Sequence, residues 1–401
     1  PMRALDRKLL RDVGQMRGQA LAIGLVIASA TAVSVMSLSM QHSLAQTRAA
    51  YYERYRFADV FAHVKLAPNT LAGRIAEIPG VGRVQTRVVA AVTLDVPGLA
   101  EPAVGRLISV PDRRSAVLND VHLRAGRYVE PGGKGEVLVS EAFAAAHGFG
   151  PGDSVRAILN GRYQELHIVG VALSPEYVYQ LGEGDVFPDD KRFGVFWMAY
   201  SELAPAFDML GAFNDVALTL TPGASEPEVL QRLDRLTEPY GGLGAYGRAD
   251  QVSHRFLSDE LQQLRRTGVI MPGIFLGVAA FLLNVVMSRL VGTQREQIAA
   301  LKAFGYTRWQ VGVHYLKFVL LIVVVGVALG TALGAWMGHG LTGLYTRFYR
   351  FPLLEFTLEP DVVLLAFGVS AGAAVVGTLG AVRSAVNLPP AQAMRPEPPA
   401  T

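Results

Sequence analysis

The stretch Gln294-Arg295-Glu296-Gln297-Ile298-Ala299-Ala300-Leu301-Lys302-Ala303-Phe304-Gly305-Tyr306-Thr307-Arg308 is basic and amphipathic, and it lies between two strongly apolar segments, residues 268–291 and 316–341. At about 1.5 Å of rise per residue, each segment is long enough to cross a hydrocarbon layer of roughly 30 Å. A short charged helix between two spans has to meet a soluble partner. It reads as a cytosolic helix built to receive force.

Two more apolar runs, 20–41 and 362–386, complete the set. With 51% hydrophobic and 18% charged residues over 401 positions, the chain is too apolar for an ordinary soluble protein and too polar for an all-membrane one. The spacing predicts a cytosolic amphipathic interfacial helix over 1–19, a first transmembrane helix over 20–41, and an outer block over 42–267. A second span at 268–291, a coupling loop at 292–315, a third span at 316–341, a short external loop at 342–361, a fourth span at 362–386 and a Pro-rich cytosolic tail at 387–401 follow. The fold class is therefore an α-helical membrane protein with four transmembrane helices and a large α+β extracytoplasmic domain.

Orientation follows from the cations at the span ends, because Lys and Arg resist translocation whereas long domains cross largely regardless of charge. Arg3, Arg7, Lys8, Arg11 and Arg17 precede the first span; Arg289, Arg295, Lys302, Arg308 and Lys317 lie around the central loop; Arg383 and Arg395 lie near or beyond the fourth span. All three groups belong inside, which predicts a multi-pass cytoplasmic (inner) membrane protein with both termini cytosolic and the outer block in the periplasm. The net charge of +3 is spent on this topology, and no nucleic-acid patch is read in it. A competing reading of the first span is a cleavable signal peptide ending near Leu44-Ala45-Gln46. Against it, Leu5, Leu9, Val13 and Met16 recur at helical spacing with cations between them, as in an interfacial helix. The tail reads either as a true C-terminus or as a linker to a second half.

Residues 43–55 and 251–266 carry apolar side chains at helical spacing, so the first two spans are expected to continue outward as stalks. Within the block, 59–65 alternates like a strand, 70–78 reads as a helix ending at Pro79-Gly80, and 87–94 reads as the next strand. A later strand at 215–221 and helix at 227–237 suggest a split β-α-β layer, interrupted by a β-rich insert over about 105–213 with strands at 136–140, 154–159 and 165–171.

On these residues the chain resembles the FtsX-like permeases of ABC systems, in the MacB-like, type VII branch. The stretch Arg295-Glu296-Gln297-Ile298-Ala299-Ala300-Leu301-Lys302-Ala303-Phe304-Gly305 is similar to the family's cytosolic R-E-I-G-x-L-K/R-A-x-G element, with Gln297 inserted and Ala299 where Gly is common. Leu123-Arg124-Ala125-Gly126-Arg127, Val137-Leu138-Val139-Ser140, Gly152-Asp153 and Ile168-Val169-Gly170-Val171 resemble its outer-domain pattern. The resemblance implies a permease that works with a cytosolic ABC ATPase dimer and a second copy or homologous permease half, with a periplasmic adaptor or lipoprotein as a further partner. Arg295, Glu296, Ile298, Leu301, Lys302, Phe304 and Gly305 would carry the ATPase coupling. No G-x-x-x-x-G-K-[ST] phosphate cradle occurs, and Gly132-Gly133-Lys134-Gly135 lacks the Ser/Thr and the helix it needs. No catalytic, cofactor or metal site is expected in this chain; ATP and Mg belong to the partner ATPase.

Gly326, Gly330, Gly334 and Gly338 recur every four residues and place a smooth face on the third span, for close helix packing or for sliding and subunit contact. Gly368-Val369-Ser370-Ala371-Gly372 matches a hydrolase nucleophile elbow, with His339 on another span, but it sits in a small-residue apolar run where Gly and Ser serve helix contacts. Tyr177, Tyr179, Phe187, Phe193, Phe196, Trp197 and Tyr200 crowd one segment beside Glu183, Asp185, Asp189 and Asp190. They read either as strand core or as a docking surface for an adaptor or amphiphile, and bound Ca²⁺ is a minor alternative. The resulting function is export or extraction of an amphiphilic substrate such as a lipid, lipoprotein, peptide or drug. The alternative is a non-transporting mechanotransmitter that controls a cell-wall hydrolase or senses antimicrobial peptides.

Overall fold

The computed structural model describes residues 11–12, 14–182 and 184–387. Arg3, Arg7, Lys8, Arg395, Glu183, most of the expected interfacial helix and the Pro-rich tail lie outside the described residues. The chain divides into two units. One comprises the residues up to Leu44, Leu261–Gly343 and those from Glu355 onward; the other comprises Ala45–Glu260 and Leu344–Leu354.

The first unit is helical. Four helices are long and apolar enough to cross a membrane: α1 (Arg17–Arg54), α6 (Val252–Thr293), α8 (Arg308–Phe348) and α9 (Pro360–Asn387), with the short α7 (Arg295–Ala303) between α6 and α8. Ile23 and Ile27 of α1, Leu283 and Met287 of α6, and Phe318 and Val323 of α8 are buried together. Leu25, Ile274, Phe281, Leu329, Trp336, Leu364 and Val376 of the same helices are exposed. The helices are longer than the expected spans: α1 and α6 run without a break through 43–55 and 252–266.

The glycine repeat of α8 explains how its backbone meets α1. A Cβ on Gly330 would lie 2.5 Å from the Ala28 carbonyl oxygen, one on Gly334 2.7 Å from that of Ala32, and one on Gly326 3.0 Å from that of Gly24. Gly338 instead faces the Phe356 ring. The face of Gly326, Gly330 and Gly334 is thus occupied by α1 of the same chain, so it is not a free surface for a second subunit. Gly368-Val369-Ser370-Ala371-Gly372 lies inside α9, with Ser370 buried, and not on a strand-to-helix turn.

The second unit is built on two sheets. A four-stranded sheet has the order β11-β1-β10-β2. It comprises β1 (Val60–Pro68), β2 (Val81–Arg87), β10 (Ala212–Leu220) and β11 (Tyr246–Gly247), with α2 (Leu71–Ala76) between β1 and β2 and α5 (Glu226–Thr237) between β10 and β11. Both β1 and β2 pair antiparallel with β10, so they run parallel on its two sides. Leu71, Ile75, Val229 and Leu233 from the two helices close the core over Val60, Ala62, Val216 and Leu218.

The second sheet has seven strands in the order β5-β8-β6-β9-β4-β3-β7. It contains β3 (Val89–Asp95), β4 (Ala103–Val110), β5 (His122–Gly126), β6 (Glu136–Ser140), β7 (Ser154–Leu159), β8 (Arg162–Leu173) and β9 (Phe193–Ala199). Strand β7 also pairs antiparallel with β8, which closes β8-β6-β9-β4-β3-β7 into a ring with β5 beside β8. Strand β9, between β6 and β4, is buried along its whole length. Phe196 and Met198 pack on one face with Phe143 of α3 (Glu141–His147) and Leu203 of α4 (Tyr200–Ala206). Phe193, Val195 and Trp197 pack on the other.

The expected strand at 87–94 is a different object. Arg87 closes β2 of the first sheet, Val88 carries the chain across, and Val89 opens β3 of the second. The second sheet therefore spans 89–199, not an insert over 105–213. The continuous apolar run Val88-Val89-Ala90-Ala91-Val92 crosses the junction with no Gly, Pro or other turn residue to mark it, which hid it.

Replacing Gly330 by Leu should lower the melting temperature of the detergent-solubilised protein, because α1 and α8 would have to separate; overpacking of this kind costs about 1–3 kcal/mol. Gly340, which has nothing within 4 Å of a Cβ position, should accept Ala without loss. Equal melting for Gly330→Leu and the native chain would contradict the close approach.

Candidate functional site

The loop between α6 and α8 is pinned at both ends. At its start, the buried Gln294 donates Nε2 to Asp12 Oδ1 at 3.1 Å and accepts from the Tyr315 hydroxyl at 3.1 Å. The His314 ring lies 3.6 Å from the other Asp12 oxygen. Three separate segments thus share one buried polar cluster, which leaves Asp12 and Gln294 satisfied away from water.

Helix α7 has an inward and an outward side. Ile298, 1% exposed, and Ala299 sit in the helical core. Lys302 donates Nζ to the carbonyls of Ala385 at 3.2 Å and Val386 at 2.9 Å, in the last turn of α9, where carbonyls lack intrahelical partners. Arg295 and Leu301 are half-buried, Glu296 is exposed, and Phe304 is 84% exposed. Gly305 ends the helix at φ +90°, a conformation glycine adopts without a Cβ penalty. Next, Thr307 and Gln310 form a reciprocal cap: Gln310 N donates to Thr307 Oγ1 at 3.3 Å and Thr307 N to Gln310 Oε1 at 2.8 Å. Trp309, also strongly exposed at 77%, stands beside this cap.

Of the residues assigned to coupling, Glu296 and Phe304 are therefore presented outward, while Ile298 and Lys302 fasten the helix to its own unit. The sequence reading gave no role to Trp309, Gln294 or Asp12. An aromatic in the first turn after a charged loop was the available signal for Trp309; Gln294 and Asp12, 282 positions apart, carried none.

In the second unit, Arg87 is buried between two carboxylates. Its Nη1 and Nη2 donate to Glu176 at 2.6 and 2.9 Å, and its Nε to Asp215 Oδ1 at 2.7 Å. His63 Nδ1 lies 2.8 Å from the other Asp215 oxygen. Burial works against ionising Asp215, but the Arg87 charge and the His63 hydrogen bond outweigh it and hold its carboxyl below the usual range. The hydrogen bond to Asp215 raises the pKa of His63, with burial opposing. With His63 protonated, two cations balance two anions.

Glu176 belongs to the turn that follows β8, and that turn is bolted down elsewhere. Its carbonyl accepts from Gln251 Nε2 at 2.8 Å, and Tyr179 N donates to Ser253 Oγ at 2.8 Å, so the turn holds the start of α6. The Arg350 amide donates to the Val178 carbonyl at 2.7 Å, and its guanidinium pairs with Asp190 at 2.9 Å. Tyr345 hydrogen-bonds Glu260, and Tyr179 packs between Phe256 and Tyr349. The segment 344–354, expected to be part of a short external loop, is thus an integral piece of the outer unit, and α8 extends to Phe348 to reach it.

A cavity of about 940 Å³ opens over this network, with Arg87, Glu176 and Asp215 at its polar lining and Tyr177, Tyr179 and Phe187 among its aromatic lining. The aromatic segment consequently splits. Phe193, Phe196 and Trp197 are strand core and offer no docking surface, because β9 is covered on both faces. Tyr177 and Tyr179 are half-buried and Phe187 is exposed. Among the described residues, no group of three His, Cys, Asp or Glu is placed to hold a metal ion.

Residues 269–390, which contain the pinned loop and the glycine face, match the family model FtsX-like permease C-terminal. The chain carries an FtsX-like permease domain. No curated protein matches the chain. Among solved structures, the extracellular domain of the noncanonic ABC-type transporter YknZ from Gram-positive bacteria is similar at 13% identity and TM-score 0.30, over 47% of this chain and 98% of that one. The periplasmic region of MacB from Actinobacillus actinomycetemcomitans is similar at 11% identity and TM-score 0.32, over 53% and 95%. A domain of a putative permease from Porphyromonas gingivalis follows at 16% and 0.27, over 46% and 84%.

The matched region takes in α6 from residue 269 together with α7, α8 and α9; the Arg87 network lies outside it, and its protonation is testable. The His63 pKa is raised on folding, so its stabilising contribution is complete below the ordinary value of about 6.5 and is lost as pH rises through the folded value. Thermal unfolding should show the native chain losing more stability than His63→Gln between about pH 6 and pH 9. Parallel pH profiles would show that the pair contributes nothing.

Proposed function

We propose that this chain is the membrane permease subunit of an ABC system, embedded in the cytoplasmic membrane with both termini cytosolic and the second unit outside. It would couple ATP hydrolysis by a separate ATPase dimer to movements of its outer domain and so drive export or extraction of an amphiphilic substrate. The observation that carries the reading is the construction of α7. It combines an anchored inner side, Ile298 and Lys302, with an outward Glu296 and Phe304, inside the region that matches the FtsX-like model.

Continuous helices support transmission of force. Helix α1 has 38 residues, about 57 Å of unbroken helix, and α6 and α8 have 42 and 41. The apolar side chains these helices expose suit a hydrocarbon solvent, since contiguous apolar surface of that extent is unfavourable in water. Few ionisable groups interrupt the apolar runs, which favours a lever over a polar conduit. An outer cavity with aromatic walls and a charged floor favours an amphiphilic substrate over pure mechanotransmission. A second copy or a homologous half would complete the permease, and a periplasmic adaptor would take the substrate onward.

The test is co-expression with a candidate ATPase subunit and purification into lipid nanodiscs, comparing the native chain with a Glu296→Ala, Phe304→Ser double variant. Both side chains are exposed, so the variant should fold as the native chain does. Truncating central contact residues of this kind costs about 2 kcal/mol or more, so ATPase association should weaken roughly thirtyfold and stimulated hydrolysis should fall with it. ATPase binding that ignores the double variant, or no ATPase binding by the native chain, would overturn the reading.

A further inference from the structure

The end of α1 and the start of α6 frame a second pocket in the outer unit, of about 680 Å³, which the transport reading does not use. Its lining includes four arginines, Arg48, Arg56, Arg83 and Arg248, together with Tyr52 and His254, against a single carboxylate, Glu53. Two of these arginines are already balanced: Arg56 pairs with Asp120 at 3.0 Å and Arg248 with Asp59 at 2.6 Å. The other two are not. Arg48 spends one Nη1 donor on the Ser258 hydroxyl at 3.0 Å, and among the described residues the Arg83 guanidinium has no partner. Glu53 is exposed.

The pocket is built, not incidental. Arg248 is held by the carbonyls of Ala58 and Phe57 at 2.8 and 2.7 Å, and its guanidinium lies over the rings of Tyr52 and Phe57. The Tyr52 hydroxyl lies 3.2 Å from His254 Nδ1. Burial, Arg48 and Arg248 together push the His254 pKa down to about 4, so the ring is neutral and keeps one N–H to donate. A concave surface with two uncompensated guanidinium groups and neutral donors concentrates positive potential. Arginine forks match the oxygens of phosphate bidentately.

We propose that this pocket binds a phosphate-bearing anion, held chiefly by Arg48 and Arg83 with Arg248, His254 and Tyr52 around it. An anion seated there would join residues 48–56 of α1 to residues 248–254 at the head of α6, and would fix the spacing of the two stalks. The inference is independent of ATPase coupling. Its chemistry admits two sources, a soluble phosphate or phosphoester and the phosphate of a lipid headgroup.

The experiment titrates inorganic phosphate into the full chain in maltoside micelles, which contain no phosphate, by calorimetry at constant ionic strength. Saturable binding is expected, weakened by roughly tenfold or more in an Arg48→Gln, Arg83→Gln double variant whose melting temperature is unchanged. Glu53→Gln should tighten binding, a gain that misfolding cannot mimic. Addition of short-chain phosphatidylglycerol separates the sources: displacement of phosphate identifies a headgroup site, and undisturbed phosphate binding identifies a soluble ligand. Absence of saturable binding, or equal affinity in the double variant, overturns the proposal.

Discussion

In the second unit, one buried guanidinium ties three separate chain segments together. Arg87 stands where the chain leaves the four-stranded sheet for the seven-stranded one, and it is held by Asp215 from β10 and Glu176 from the turn after β8. A buried charge that lost one of these partners would cost several kcal/mol, so the three residues specify how the two sheets are joined more than they add net stability. The surplus negative charge explains His63. With Arg87 alone, the pair of carboxylates would leave a net anion; the hydrogen bond to Asp215 raises the His63 pKa and so favours the protonated ring, which would offset that charge. The same turn that supplies Glu176 also receives Gln251, Ser253 and Arg350. A single short segment therefore joins both sheets to the head of α6 and to the residues that follow α8.

The loop between α6 and α8 obeys a similar economy. Helix α7 is attached on one side and accessible on the other. In α7 the attachment is chemical as well as apolar: Ile298 fills the core, and Lys302 occupies the carbonyls that end α9. Before it, Gln294 links Asp12 and Tyr315, and after it Thr307 and Gln310 set the first turn of α8. Both junctions of the loop are thus fixed by side-chain hydrogen bonds.

Much of this was legible in the sequence, for physical reasons that also mark where legibility stopped. Apolar runs of span length announce themselves by composition, and glycine at every fourth position announces a helix face that admits a neighbouring backbone. Which backbone it admits, that of α1, required the structure. The strands at 136–140 and 154–159 lie where alternation placed them, since turn residues bound them on both sides. The junction at Val88 was invisible because the apolar run from Val88 to Val92 contains no turn residue, and one buried valine marks the passage between sheets. Crowded aromatics announced burial or binding without separating them; only the two covered faces of β9 did so. The Arg87 network joins positions 63, 87, 176 and 215, a separation over which local patterning carries no information.

The long helices are divided unequally between the two units: α1, α6 and α8 contribute residues 45–54, 252–260 and 344–348 to the second, whereas α9 lies wholly within the helical one. Lys302 attaches α7 to α9, and Gln294 attaches its N-terminal junction to Asp12 ahead of α1 and to Tyr315 in α8. Helix α8 packs closely on α1 along its glycine face, and α6 is held to α1 as well: Ser34 Oγ donates to the Gly268 carbonyl at 3.0 Å, and a Cβ on Gly268 would lie 2.8 Å from Leu38. The three helices therefore share one core within the helical unit. In the second unit, the turn bearing Glu176 sits at the head of α6 and next to the residues following α8, so a few hydrogen bonds fix both a carboxylate that holds Arg87 and a wall of the aromatic cavity.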